Sequence, residues 1–191
     1  MSFAEYSGYI HKTLNNVDSA QVENLIKILF QAFCEGTSVF VLGNGGSAAN
    51  ASHFAQDLAK GTCLSLDQLK RIKAQSLTDN TPYITALGND NGFDCIFEQQ
   101  LRTYAVSGDI VIAISGSGNS PNILRAIEWA NKNQMITIGV TGFNGGTLRQ
   151  INQHSLHIPL NDMCSTESIH SVVFHYVILE LQRKIKDFLT N

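Results

Sequence analysis

Two histidines and two carboxylates are spaced for shared chemistry. His53 and Asp57 stand four apart, which on a helix places both side chains on one face. Glu167 and His175 stand eight apart, about 800° of rotation at roughly 100° per residue, so they share a face too. If the two helices meet, the four side chains can converge on a divalent metal such as zinc, or form an acid/base pair without metal. Read singly, each residue is ordinary. A His-x-x-x-Asp pair is more often a surface hydrogen bond than a site, and His170 and His175 suit the core side of an apolar helix. Position favours chemistry for His53 and Asp57, because their helix opens from a glycine-rich turn. His154 and His157 lie near the last strand on opposite faces and receive no role.

That turn follows an apolar run, Val39 to Leu42, and carries Gly43, Gly45 and Gly46 before Ser47 begins a helix. Such a turn lets backbone N–H groups converge, and the helix N-terminus adds positive potential, so an anion is welcome. The pattern recurs at Ile110 to Ile114, followed by Ser115-Gly-Ser-Gly-Asn-Ser120 and a helix from Pro121. Hydroxyls at Ser115, Ser117 and Ser120 leading into a helix N-terminus suit a dianionic phosphate better than a plain turn requires. The loop lacks a Gly-Lys-Ser/Thr ending, and in Gly43-Asn-Gly-Gly46 the third glycine falls too early for a dinucleotide fingerprint. No Gly-x-Ser-x-Gly elbow is present. The two crevices point to a small phosphorylated ligand without a nucleotide cofactor.

The elements that must position these loops alternate along the chain. A helix over residues 3–14 carries Phe3, Tyr6, Ile10 and Leu14, a stripe that packs on its own domain or docks on another subunit. Ser19 can cap a helix bearing Val22, Leu25, Ile26, Leu29, Phe30 and Phe33, with Gly36 just past its end. Strand 39–42, a helix through about Lys60, strand 72–77 and helix 93–105 follow. Strand 110–114, helix 121–133 and strand 135–140 form a βαβ unit. A loop at 141–146, a last strand at 155–160 and a long apolar helix at 165–189 complete the pattern. This alternation predicts a parallel sheet covered on both faces.

Composition bounds the rest. The chain has 191 residues, 43% hydrophobic and 15% charged, with net charge −3, which is globular and consistent with one domain. Basic residues gather only into small clusters (Lys70, Arg71, Lys73; Arg183, Lys184, Lys186), which argues against nucleic-acid binding. Cys34, Cys63, Cys95 and Cys164 form no Cys-x-x-Cys pair and read as packing residues. Met1-Ser-Phe-Ala-Glu5 shows no leader and no run spans a bilayer, so no membrane is expected and the cytoplasm is the default.

Taken together, Gly43-Asn-Gly-Gly-Ser-Ala48, His53-Phe-Ala55, Gly88-Asn-Asp90 with Gly92-Phe93, Ala113-Ile-Ser-Gly-Ser-Gly-Asn-Ser120 and the Glu167…His170…His175 helix resemble the sugar isomerase (SIS) domain. Within it they resemble the phosphoheptose isomerase branch. That branch converts sedoheptulose 7-phosphate to D-glycero-D-manno-heptose 7-phosphate, through an enediol, for bacterial surface polysaccharide including lipopolysaccharide. The resemblance implies a flavodoxin-like three-layer sandwich with a central parallel sheet, one SIS domain over 1–191, and a homotetramer with active sites between subunits. It implies phosphate held by Ser115, Ser117 and Ser120, and sugar contacts from Asn44, Gly45, Ser47, Asp90 and Glu167. Its zinc and acid/base cluster falls on His53, Asp57, Glu167 and His175, with Asp57 as base and His175 as acid. The chain departs from the family at four places: Asp57 replaces glutamate, Glu167 glutamine, Gly116 threonine and Gly61 arginine. Two other classes share this fold pattern: a non-catalytic scaffold of the replication-initiator-associating type and a phosphosugar-sensing module. The paired histidines and carboxylates favour the enzyme, since buried charge needs partners.

Overall fold

A computed structural model describes residues 1–190. Its sheet has five parallel strands: β1 Ser38–Gly43, β2 Lys73–Ser76, β3 Ile110–Ser115, β4 Ile136–Thr141 and β5 His154–His157, in the order β2-β1-β3-β4-β5. Its helices are α1 Phe3–Leu14, α2 Ser19–Glu35, α3 Gly46–Gln56, α4 Thr81–Asp90, α5 Ile96–Tyr104, α6 Pro121–Lys132, α7 Leu148–Ile151 and α8 Met163–Thr190. A π-helical turn, Asp57–Gly61, prolongs α3, and a 3-10 turn, Phe93–Cys95, precedes α5.

The period-2 alternation of the strands decides the layers. Val39, Val41, Ile110, Ile112 and Ile114 point into one core with α2, α3 and α8. Phe40, Leu42, Val111 and Ala113 point into the other with α5, α6 and α7. All six residues of β3 are buried, as a strand covered on both faces must be. The expected α/β three-layer sandwich with a flavodoxin-like strand order is therefore present.

In such a sheet, chain direction across the strands reverses between β1 and β3. Ligands bind outside the carboxyl ends of the strands at that switch point. The glycine turn and the serine loop emerge there side by side, with Gly43 in register with Ile114.

Local details differ from the sequence reading for identifiable reasons. Asp18, not Ser19, caps α2: its carboxylate accepts from Ala20 N at 2.9 Å, leaving Ser19 as the first helical residue. Helix α4 has no buried residue, hence no apolar stripe to announce it; it starts at Asn80, whose side chain accepts from Tyr83 N, with Pro82 in the first turn. The four residues of α7 are likewise too few for a periodic signal. The last strand ends at His157 rather than at residue 160, because after Ile158 N donates to Thr141 O the next residue, Pro159, has no N–H to continue. Helix α1 buries no residue; Ile10 and Leu14 pack only partly against the core, and Phe3 is 85% exposed. No described helix is long and apolar enough to cross a membrane.

Candidate active site

The crevice at the switch point is lined by Asn44, Gly45, Gly46, Ser47, Ile114, Ser115, Gly116, Ser117, Ser120, Met163 and Glu167, and its volume is ≈ 290 Å³. It gathers every expected substrate-binding residue except Asp90. The serine loop is held open by its own backbone. Gly118 N donates to Ser115 Oγ at 3.1 Å, and Gly118 itself has φ +68°. A side chain at Gly118 would also collide with the backbone of Gly145, so only glycine allows this loop to rest on the 143–148 loop. Ser120 occupies the N-cap of α6, yet its hydroxyl makes no capping hydrogen bond. Pro121 brings no N–H to the first turn and Ile123 N is taken by Asn122 Oδ1, so this hydroxyl, with those of Ser115 and Ser117, is the main donor an anion can find here, helped by the positive end of α6. Gly116 lacks the Cβ that would run into Met163 Sδ, and Met163, the first residue of α8, closes the crevice on that side.

Asn122 was not singled out in the sequence. It is 2% exposed and forms a reciprocal amide pair with Asn44, each Nδ2 donating to the other's Oδ1 at 2.9 Å. The pair ties the glycine turn to the first turn of α6, fixing the two walls of the crevice. The only sequence clue was its place two residues after Ser120, next to a helix start. Replacing Asn122 with alanine leaves Asn44 half-satisfied and is expected to cost about 1–2 kcal/mol, read by denaturant unfolding. The same variant should raise KM for a phosphorylated substrate more than it lowers kcat.

Asp90 stands elsewhere. It ends α4, exposed, accepting from Asn89 Nδ2 at 2.7 Å, and does not line the crevice. Within this chain nothing brings it to the serines.

The histidine cluster forms where α3 and α8 run side by side in the same direction. Asn50 Nδ2 donates to Glu167 O at 3.0 Å, the rings of Phe54 and Phe174 stack at 4.1 Å, and Gln182 Nε2 donates to Gly61 O at 2.8 Å. This clamp brings His53, Asp57 and His175 together. His53 Nε2 lies 3.4 Å and His175 Nε2 3.8 Å from Asp57 Oδ2, and the two nitrogens lie 3.5 Å apart. The two imidazoles are about half exposed, with Asp57 more sheltered at 20%. At Asp57 the helix widens into its π turn, and Thr62 N reaches back to Asp57 O. A Cβ at Gly61 would sit in ordinary contact, 3.6 Å from Asp57 and from Ile178.

The triangle fits a metal. Two nitrogens and one carboxylate oxygen within 4.8 Å of one another are a zinc donor set, and tetrahedral bonds of about 2.0–2.1 Å place ligand atoms roughly 3.3–3.5 Å apart. Three protein ligands would leave one position open for substrate. Glu167 does not join them. Rotation puts it on roughly the same side of α8 as His175, but eight residues of rise separate the two by about 12 Å along the axis. Its carboxylate lies instead against Gly46, accepting from Ser47 Oγ at 3.3 Å. His170, at 0% exposed, is a core residue, with Nε2 3.3 Å from Thr141 O.

Comparison with known proteins places the chain and its fold among relatives. A family model described as the SIS domain matches residues 2–142. Phosphoheptose isomerase of Trichlorobacter lovleyi is 41% identical over 159 residues, 82% of this chain and 79% of the relative. The enzyme of that name from Citrifermentans bemidjiense is 34% identical over 167 residues, 87% of this chain and 85% of the relative. Among solved structures, phosphoheptose isomerases from Neisseria gonorrhoeae and Francisella tularensis superpose with TM-scores of 0.85 and 0.83. Each is 28% identical, covering 95% of both chains. The chain belongs to the SIS-domain family, among the phosphoheptose isomerases.

Proposed function

We infer that this chain is an aldose–ketose isomerase that interconverts sedoheptulose 7-phosphate and D-glycero-D-manno-heptose 7-phosphate, supplying heptose for bacterial surface polysaccharide such as lipopolysaccharide. One observation carries the reading: the crevice, whose serine hydroxyls come from the end of β3 and the loop to α6, shares α3 and α8 with the His53–Asp57–His175 triangle. That pairing of an anion-holding loop with acid/base groups is what isomerisation of a sugar phosphate needs. The relatives' names agree.

In this reading Ser115, Ser117, Ser120 and the α6 N-terminus hold the phosphate, while Asn44, Gly45, Ser47, Glu167 and Asp90 act on the sugar. Holding the phosphate orients the carbonyl end for proton transfer. Starting from the ketose, the Asp57 carboxylate takes the C1 proton and returns it to C2. His175 gives a proton to the C2 oxygen and recovers one from the C1 hydroxyl, so the intermediate is a cis-enediol and no proton is gained or lost overall. His53, 3.4 Å from Asp57, holds that carboxylate in place. In the alternative with zinc, His53, Asp57 and His175 would hold the metal instead of exchanging protons, and it would supply polarisation of the carbonyl oxygen in place of the His175 proton.

We further propose that the chain works as one SIS domain within a homotetramer. The cluster faces outward beside exposed Val172, Tyr176 and Leu179 of α8, and α1 is left without buried residues. Further copies covering these faces would shelter the cluster and complete the active sites between subunits, bringing Asp90 and Glu167 of different chains within reach. The cytoplasm is the proposed compartment, because that is where sugar phosphates are made and kept.

The test is isomerisation of sedoheptulose 7-phosphate by purified protein, before and after chelation and with zinc restored. Turnover that disappears on chelation and returns with zinc supports both the reaction and the metal. Turnover indifferent to chelation keeps the isomerase and removes the metal. No turnover under any condition overturns the reading.

A further inference from the structure

The crevice is unusual for an anion site in its charge. Of the residues lining it, Glu167 alone is ionisable, and it is negative; no lysine or arginine contributes. Two helices of full length, α3 and α6, begin at the same space, so two cradles of positive N-terminal potential face it; at α6 Pro121 has no N–H and Ile123 N is taken by Asn122 Oδ1, which leaves the serine hydroxyls as the main donors there. They are not equivalent. At α6 the Ser120 hydroxyl is free of any capping bond. At α3 the Glu167 carboxylate is already in place, resting on the Cα of Gly46, where any Cβ would collide with it, and accepting from Ser47 Oγ. Asn50 Nδ2 donates to the backbone carbonyl of Glu167 at 3.0 Å, which anchors this turn of α8 beside α3.

We propose that Glu167 is the charge-selecting residue of this crevice: its carboxylate fills the α3 cradle, sends the single phosphate to α6, and rejects ligands with a second anionic group at the opposite end. What the α3 side then accepts is a hydrogen-bond donor, such as a sugar hydroxyl. The substrate class is narrowed to polyhydroxy monophosphates, and sugar bisphosphates and phosphorylated sugar acids are excluded. The same contact sets the direction in which the chain of the sugar lies. This deepens the isomerase reading and rests on it for the identity of the sugar, but the charge effect itself does not require turnover.

The experiment titrates three forms of the intact protein with inorganic phosphate by calorimetry: wild type, Glu167→Gln and Glu167→Asp. Glutamine keeps the shape and loses the charge; aspartate keeps the charge. Glu167→Gln is expected to bind phosphate roughly tenfold more tightly, the size of a screened like-charge repulsion across a crevice of this scale, with Glu167→Asp close to wild type. A parallel titration compares sedoheptulose 7-phosphate with its 1,7-bisphosphate. The preference of wild type for the monophosphate should fall about tenfold in Glu167→Gln and persist in Glu167→Asp. Equal phosphate affinity in wild type and Glu167→Gln, or Glu167→Asp behaving like Glu167→Gln, overturns the proposal, as does failure of all three forms to bind phosphate. A protein that shows the charge effect yet turns over no sedoheptulose 7-phosphate supports the charge-selecting role and overturns the isomerase reading instead.

Discussion

Replacing His175 with alanine is expected to lower kcat for sedoheptulose 7-phosphate by about 10²–10⁴-fold, the range typical of losing a general acid. The protein should stay folded. The His175 side chain is 55% exposed, and its close polar contacts are with His53 and Asp57, so truncation opens no core cavity and a thermal melt should move by no more than a surface substitution moves it. Asp57→Asn should cost a similar factor, since the amide has Asp57's shape without its basicity. Because the two residues move protons in one step, the double variant should be little worse than either single one. Wild-type turnover by the His175→Ala protein would remove His175 from the reaction. A loss of turnover together with a collapse of the melt would show that its role is in folding.

Acid should destabilise this protein through His170. Burial pushes the His170 imidazole down to about 4; the Thr141 carbonyl, accepting from Nε2, opposes that shift, and nearby His157 reinforces it. Its Nδ1 is buried without a hydrogen-bond partner, so the folded site has nowhere to put a second proton. The folded pKa lies below the ordinary value of 6.5, so the unfolded chain takes up the proton first. The contribution is therefore complete above about pH 6.5, is lost as pH falls towards 4, and amounts to about 3 kcal/mol over that window. His157 is lowered too, by burial first and by Arg149 second, and adds in the same direction. Urea unfolding at pH 7 and at pH 4 reads the effect. In His170→Gln, where the side-chain amide can still donate to Thr141 O, the difference between the two pH values should shrink by most of that amount. An unchanged difference would mean that His170 is not the group responsible.

Much of the fold could be read from local pattern, because local pattern causes it. Apolar runs at 39–42 and 110–114 are long enough only for buried strands, and the helical spacing of Val22, Leu25, Leu29 and Phe33 is a stripe for one core. Elements without a buried face left no such trace. Helix α4 has no buried residue and α7 is a single turn, so both rest on turn chemistry and tertiary context.

The sequence by itself determined the types and spacing that make an anion crevice: the glycine turn, the three serines, and a histidine four residues before a carboxylate. These are consequences of backbone geometry over a few residues, and no partner element is needed to state them. Which residues actually share a site was a tertiary matter. The stacking of Phe54 on Phe174 set the register of α3 against α8 and so made a triangle of His53, Asp57 and His175. The same register placed Glu167 against Gly46 rather than with the histidines. Asn122 entered the site only because strand order put α6 beside the β1 turn, 78 residues away from Asn44 in the chain. Rotation around a helix can be counted from sequence spacing. Height along it, and the neighbour it meets there, are decided by packing.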